Sequence, residues 1–302
     1  MLRVLNFIVF IGMLGFLPAC KSPDTTAVAQ PVDTRMDIDS IAPVLPTDTV
    51  YKVSYRMYYL NDSLRKRFSK DFTRKQLTTV GFLNRIEVGR LTRLDSVIVP
   101  DSFMTDLNAY SPFPKALPMV DSLRKLLLIS YRIQAFGFYM HGKLQRWGPV
   151  SMGKKSTPTP VGFFHTNWKS KLQISTDNPE WLLPWYFNLV NSTGASMHQY
   201  ELPGYPASHA CIRLREEDAL WIYQNADQWR LNKTGIQIRS HGTPVIIYGA
   251  YAFGKPRPWY ALAQDADANL QQADTLNALI QPYWKVMLHE QAVRDSISQK
   301  RH

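Results

Sequence analysis

Apolar and polar positions change period several times along this chain, and each change marks an element. Val4 to Leu17 is an apolar stretch of 14 residues interrupted only by Asn6 and two glycines. It is too short to span a bilayer and has the length of an export-signal core. Residues 21–50 contain no Phe, Tyr or Trp and carry scattered Pro, Thr and Asp, a composition that reads as a tether. Thirty such residues span roughly 30 Å on average and at most about 100 Å. An aromatic run, Val53 to Leu60, opens a small accessory region, and a basic stretch follows from Arg65 to Lys75. Strand patterns dominate from residue 126. Leu126 to Met140 is apolar and β-branched, His141-Gly142 marks a turn, Leu144 to Met152 reads as a return strand, and Phe163 to His165 begins another. Arg215-Glu216-Glu217-Asp218 places acids at a helix start, with Ala219 to Trp229 continuing it. The turn His241-Gly242-Thr243-Pro244 precedes a buried strand, Val245 to Tyr248. In the last segment Leu276, Leu279, Ile280, Tyr283, Val286 and Met287 recur at helical spacing. They predict a C-terminal helix packed on the main domain, with a partner-binding helix as the alternative.

Composition adds a packed core and a basic balance. Hydrophobic residues make up 45% and aromatics 12% of the 302 residues, and the net charge is +11. A basic protein suits nucleic acid, an anionic membrane surface or an acidic polymer. No Lys/Arg block or nucleic-acid motif is present, so nucleic acid is not expected.

Two cysteines carry more information than the charge. Leu17-Pro18-Ala19-Cys20 follows the apolar run, and a small residue before Cys resembles the lipobox of bacterial lipoproteins. That resemblance implies cleavage before Cys20, lipidation of Cys20, and a chain held by its N-terminal lipid to a membrane of the cell envelope, facing the periplasm. A plain secretory signal with an incidental Cys is the alternative. With Cys20 lipidated, Cys211 is a lone thiol in a disulfide-forming compartment, a hazard unless it does chemistry.

The segment around Cys211 is where the chemistry concentrates. If Ser208 to Leu214 is extended, alternation puts His209, Cys211 and Arg213 on one face, while Ala210, Ile212 and Leu214 face a core. An imidazole beside a thiol lowers its pKa and generates thiolate near neutral pH. His198 lies 13 residues before Cys211, across a loop with two prolines and a glycine that can fold back and deliver a second imidazole. The remaining histidines, 141, 165, 241, 289 and 302, show no metal-ligand spacing. Neither a metal nor a cofactor is expected.

Ser208-His209-Ala210-Cys211-Ile212-Arg213-Leu214 resembles the Ser-His-Gly-Cys-x-Arg signature of YkuD-type L,D-transpeptidases, and Met197-His198 matches that family's upstream His. Val150 to Gly153 followed by Thr157 to Phe164 is similar to its strand and substrate-proximal loop, and Pro184 to Leu189 to its apolar segment before the His. The resemblance covers about residues 126–250. It implies a mainly β, sandwich-like catalytic domain with additional α-helices, α+β overall. It also implies peptidoglycan stem peptides as donor and amine acceptor, Cys211 as nucleophile, His198 as general base and His209 as support for the thiolate. Backbone N–H groups of Ala210 and Cys211 would form the oxyanion hole and Arg213 would bind a substrate carboxylate. Ser208, Trp185 and Tyr186 are further substrate-binding candidates, although the aromatic run 185–187 serves equally as core. Ala210 stands where the family has Gly, the loop from His198 to Cys211 is a few residues shorter than usual, and Gln199 replaces a small residue.

The expected layout is a signal over 1–19, a lipid-anchored tether over 20–50, an accessory α+β region over 51–125, the catalytic domain over 126–250 and a helical extension over 251–302. Within the accessory region, Asn84 ahead of a strand ending in Pro100 faintly resembles a LysM glycan-binding module, and a plain α+β cap is the favoured alternative. Two rival functions stand beside the transpeptidase: an L,D-carboxypeptidase or wall-protein-releasing hydrolase on the same fold, and an inactive peptidoglycan-binding lipoprotein.

Overall fold

Four residues, Tyr131 to Gln134, break the long apolar run into two strands that pair antiparallel, β3 (Leu126–Ser130) and β4 (Ala135–Met140). The turn is held by Gln134, at φ +49°, whose Nε2 donates to Tyr131 O at 2.6 Å and whose Oε1 accepts from Met152 N at 2.8 Å. The computed structural model describes residues 53–299 apart from 177 and 193. The expected signal, Cys20 and the tether lie outside the described residues.

Ahead of this hairpin come β1 (Tyr55–Tyr59), α1 (Asp62–Asp71), α2 (Arg74–Leu83) and β2 (Ser96–Pro100). The strands β1 and β2 pair antiparallel, and both helices carry N-caps: Asn61 accepts from Leu64 N, and Thr73 forms a capping box with Gln76. After the hairpin follow β5 (Lys143–Ser151), β6 (Gly162–His165), β7 (Lys169–Ile174), β8 (Leu182–Asn188), β9 (Ser196–Gln199), β10 (Ile212–Leu214), α3 (Glu216–Asn225), β11 (Arg230–Leu231), β12 (Ile238–Ser240), β13 (Pro244–Tyr248), α4 (Ala273–Ile280) and α5 (Trp284–Gln299). Nine of these strands form one curled sheet in the order β6-β13-β3-β4-β5-β10-β9-β8-β7. The sandwich-like character therefore comes from a single sheet folding over its own face.

The central strand β3 explains why the sequence there is apolar at every step. Leu127 and Ile129 enter one core with Phe136, Phe138, Phe187, Met197, Ile212 and Leu214, which closes around Ala219 and Ile222 of α3. Leu126 and Leu128 enter a second core on the opposite face, with Phe82, Leu83, Ile98, Trp259, Leu276, Ile280 and Met287. A strand buried on both faces has no polar side to alternate with, and each such side chain contributes about 1.5–3 kcal/mol by leaving water. The second core draws on the N-terminal strands and helices, the central sheet and the C-terminal helices together, so both flanking regions cover one face of the nine-stranded sheet.

Two expected helices end differently from their sequence patterns. The helix expected through Trp229 stops at Asn225; its start is as expected, with three acids in the first turn and the fully buried Asp218 bound by Arg146 at 2.7 Å and Arg215 at 2.8 Å. The C-terminal helix is two, because Pro282 lacks an N–H and tightens residues 281–283 into a 3-10 turn between α4 and α5.

Candidate active site

Parallel pairing of β9 and β10 places Arg213 opposite His198 and Ile212 opposite Met197. This register, which local sequence cannot encode, carries His198 to the edge of the Cys211 loop. Only Ile212–Leu214 is strand, so the extended segment expected from Ser208 begins four residues later. The expected division of faces appears except at Ala210, which is only partly buried: Ile212 and Leu214 are buried in the sheet core, while His209, Cys211 and Arg213 line one cleft with His198, Ser208 and Tyr200.

His198 is buried, and its Nδ1 lies 2.9 Å from Gln199 O. A carbonyl oxygen only accepts, so Nδ1 carries the proton and Nε2 keeps its lone pair. Burial, against the partial compensation of the Gln199 carbonyl, pushes the imidazole pKa from 6.5 down to about 4. The ring is thus neutral, with a basic nitrogen, at any physiological pH. The half-buried Cys211 carries Sγ 3.3 Å from Ser196 Oγ and 3.9 Å from Gly194 O. Ser196 was missed in the sequence, although it precedes His198 by two residues on the same strand and so shares its face.

The other candidates divide into those at the cleft and those behind it. His209 is exposed at the rim, stacked at 5.3 Å on Trp181, with Nε2 2.9 Å from Lys154 Nζ. Lys154 only donates, so that nitrogen accepts. Arg213 lies 4.6 Å over the Tyr200 ring, its Nη2 donates to Ala207 O at 3.3 Å, and burial lowers its pKa. Among the described residues no carboxylate lies in ion-pair contact with it. Ser208 spends its hydroxyl proton within the loop: its Oγ donates to Cys211 O and its own carbonyl accepts from Lys154 N and Thr157 Oγ1. It ties the Cys211 loop to the 153–159 turn. Gly153 is required there, since a Cβ would fall 2.3 Å from Thr157 O.

Two expectations are corrected. Ala210 sits at φ +73°, the left-handed region, and its N–H donates to Thr157 O at 3.1 Å, so it is engaged in the loop and does not point to an oxyanion. Trp185 and Tyr186 do not reach the cleft either. Trp185, at φ +54°, packs on Tyr223 of α3, and Tyr186 is buried against Trp168, because α3 covers one face of β8 there and Trp168 the other. Trp181 and Leu183, at the start of the same strand, line the cleft instead.

Residues 125–247 match the YkuD family, described as the L,D-transpeptidase catalytic domain. This segment is a YkuD domain. Its solved structural neighbours include L,D-transpeptidases from Stackebrandtia nassauensis (20% identity, 42% of this chain and 56% of that one, TM-score 0.34) and Mycobacterium smegmatis (22%, 42% and 59%, TM-score 0.34). A third, from Mycobacterium tuberculosis H37Rv, has 22% identity over 51% of this chain and 72% of its own, with TM-score 0.34. The chain spans a little over half the length of the first two. No curated protein matches the chain. Within the YkuD domain, Cys211, His198, His209 and Arg213 share one cleft and Ser208 braces it, whereas Trp185, Tyr186 and the Ala210 amide serve the scaffold.

Proposed function

We propose that this protein is a cysteine-nucleophile L,D-transpeptidase acting on peptidoglycan stem peptides in the cell envelope, anchored through lipid on Cys20. The observation that carries the reading is that, inside a YkuD domain, Cys211 shares one cleft with a buried imidazole whose protonated nitrogen is fixed on a carbonyl. His198 Nε2 takes the thiol proton as Sγ attacks the carbonyl carbon of the third stem residue. The oxyanion is held by amides of the loop other than that of Ala210. Collapse expels terminal D-alanine, whose amine receives the proton from His198, and leaves a thioester on Sγ. An amine of a second stem then attacks the thioester, His198 again taking the proton, and Sγ leaves as thiolate. Arg213 pairs with a carboxylate of the substrate. Ser196 Oγ, beside Sγ, keeps the thiol oriented.

The test is incubation of the purified protein with muropeptides carrying tetrapeptide stems, with products read by mass. A dimer joined between third residues, with release of D-alanine, is expected, and Cys211→Ala abolishes both. Tripeptide without dimer, even at high acceptor concentration, replaces this reading with a carboxypeptidase. Absence of both products, with Cys211 inert to a thiol-reactive probe, replaces it with a wall-binding protein.

A further inference from the structure

At the β6 edge of the curled sheet, three side chains distant in sequence converge. His165 ends the edge strand β6, His241 sits in the turn before β13, and Glu290 projects from α5. His165 Nε2 lies 2.7 Å from Glu290 Oε2, and His241 Nε2 lies 3.8 Å from Glu290 Oε1. The two imidazole rings are 4.4 Å apart at 30° to each other, and one ligand atom from each of the three residues lies within 4.8 Å of the other two. The residues are partly buried, with side-chain exposures of 14%, 38% and 19%.

We propose that His165, His241 and Glu290 form a divalent transition-metal site, suited to Zn²⁺, that clamps the C-terminal helix to the edge of the catalytic sheet. Two imidazoles and one carboxylate are a donor set that zinc takes with a fourth, open position. Bonds near 2.05 Å to a tetrahedral ion separate neighbouring ligand atoms by about 3.3 Å. The separations here bracket that value, so adjustments of side-chain torsions complete the sphere without moving the backbone. His165 Nε2 now donates its proton to the Glu290 carboxylate; on coordination through that nitrogen the proton leaves to Nδ1 or to solvent, and the metal takes its place between the same two groups.

The cations around the site are engaged elsewhere: Arg124 and Lys125, which line a cleft with His241 and Glu290, pair with Asp295 and Asp227. Arg294 on α5, close enough to act on the His241 charge, spends its guanidinium on backbone, donating to His241 O at 3.0 Å and Gln228 O at 2.7 Å, and so holds the His241 turn in place. Phe163 packs against His165 at 4.8 Å and stacks on Tyr283 at 4.7 Å, which fixes the imidazole from behind. A cleft open to solvent, lined by His241, His289 and Glu290 with Lys285 and Val286, gives the ion its path and a place for the fourth ligand. The absence of local ligand spacing in the sequence does not bear on a site assembled from three separated elements.

The test uses the full chain without a polyhistidine tag and with Cys20→Ser and Cys211→Ser, so that neither thiol can bind metal and the result is independent of the catalytic reading. Titration with Zn²⁺ at pH 7.5 is expected to show one saturable site per chain, and a melting temperature that rises with Zn²⁺ and falls back with EDTA. Glu290→Gln and His241→Ala are each expected to weaken binding by at least about tenfold. Their EDTA-treated melting temperatures report whether each variant folds, and His165→Gln substitutes for either that does not. No saturable site, or a site whose affinity is unchanged in these variants, overturns the proposal.

Discussion

His198 is the residue whose environment most constrains its chemistry. A histidine held neutral by burial destabilises the fold in acid. Above pH 6.5 both folded and unfolded chains carry a neutral ring. As the pH falls from 6.5 towards 4, the unfolded chain takes up a proton that the folded chain refuses, and folding loses about 3 kcal/mol across that window from this residue. His198→Gln is expected to flatten that part of the stability–pH curve, measured by urea unfolding at several pH values; an unchanged slope would mean the ring is not held neutral. Ala210 offers the complementary case of backbone strain. At φ +73° a Cβ costs about 1 kcal/mol, which glycine avoids. Ala210→Gly is expected to leave the Thr157 contact intact and raise stability by up to about 1 kcal/mol, read as a higher urea midpoint. A lower midpoint would show that the entropy glycine adds to the unfolded chain outweighs the relief.

Between elements, the accessory region reaches the loop between His198 and Cys211 through a short chain of backbone contacts. Asn84, fully buried at the end of α2, donates through Nδ2 to Val80 O at 2.8 Å and Ile98 O at 2.7 Å, and accepts at Oδ1 from Ile98 N at 2.9 Å. Directly after it, Ile86 pairs with Pro203, Glu87 N donates to Leu202 O at 3.0 Å, and Arg90 pairs with Glu201. The loop between His198 and Cys211 is therefore braced by the segment between α2 and β2, which lets a short loop keep one shape. Asn84→Ala leaves buried backbone groups without partners and is expected to cost about 2–4 kcal/mol, visible as a lower urea midpoint. A loss below 0.5 kcal/mol, about the scatter of neutral surface changes, would show that water replaces the amide. The Arg90–Glu201 pair is half-exposed and contributes little by comparison.

For the whole molecule, the central question is where the domain is held. If Cys20 carries lipid, the length of chain over 21–50 sets the working distance from the membrane. Cys20→Ala is expected to move the protein from the membrane fraction to the soluble fraction, or to stall its processing. Retention on membranes after salt and carbonate washing would assign the anchor elsewhere. Among the described residues no helix is long and apolar enough to cross a membrane. The N-terminal and C-terminal regions share one core on one face of the sheet, so truncating either exposes Leu126, Leu128 and their neighbours.

Period and residue chemistry were enough, from the sequence alone, for the strands from β3 to β6, the start of α3, the helical C-terminus, the core side of Ile212 and Leu214, and the gathering of His209, Cys211 and Arg213 at one cleft. These are local properties: alternation, acids at a helix start, a motif within twenty residues. Tertiary structure alone decided what depends on partners far along the chain. The parallel register of β9 with β10 brings His198 beside the Cys211 loop and adds Ser196. The carbonyl of Thr157 takes the Ala210 amide out of contention, and α3 takes Trp185 away from the cleft. The convergence of His165, His241 and Glu290 is of the same kind, because the side chains that meet at a sheet edge are chosen by strand order and helix packing, which no local spacing records.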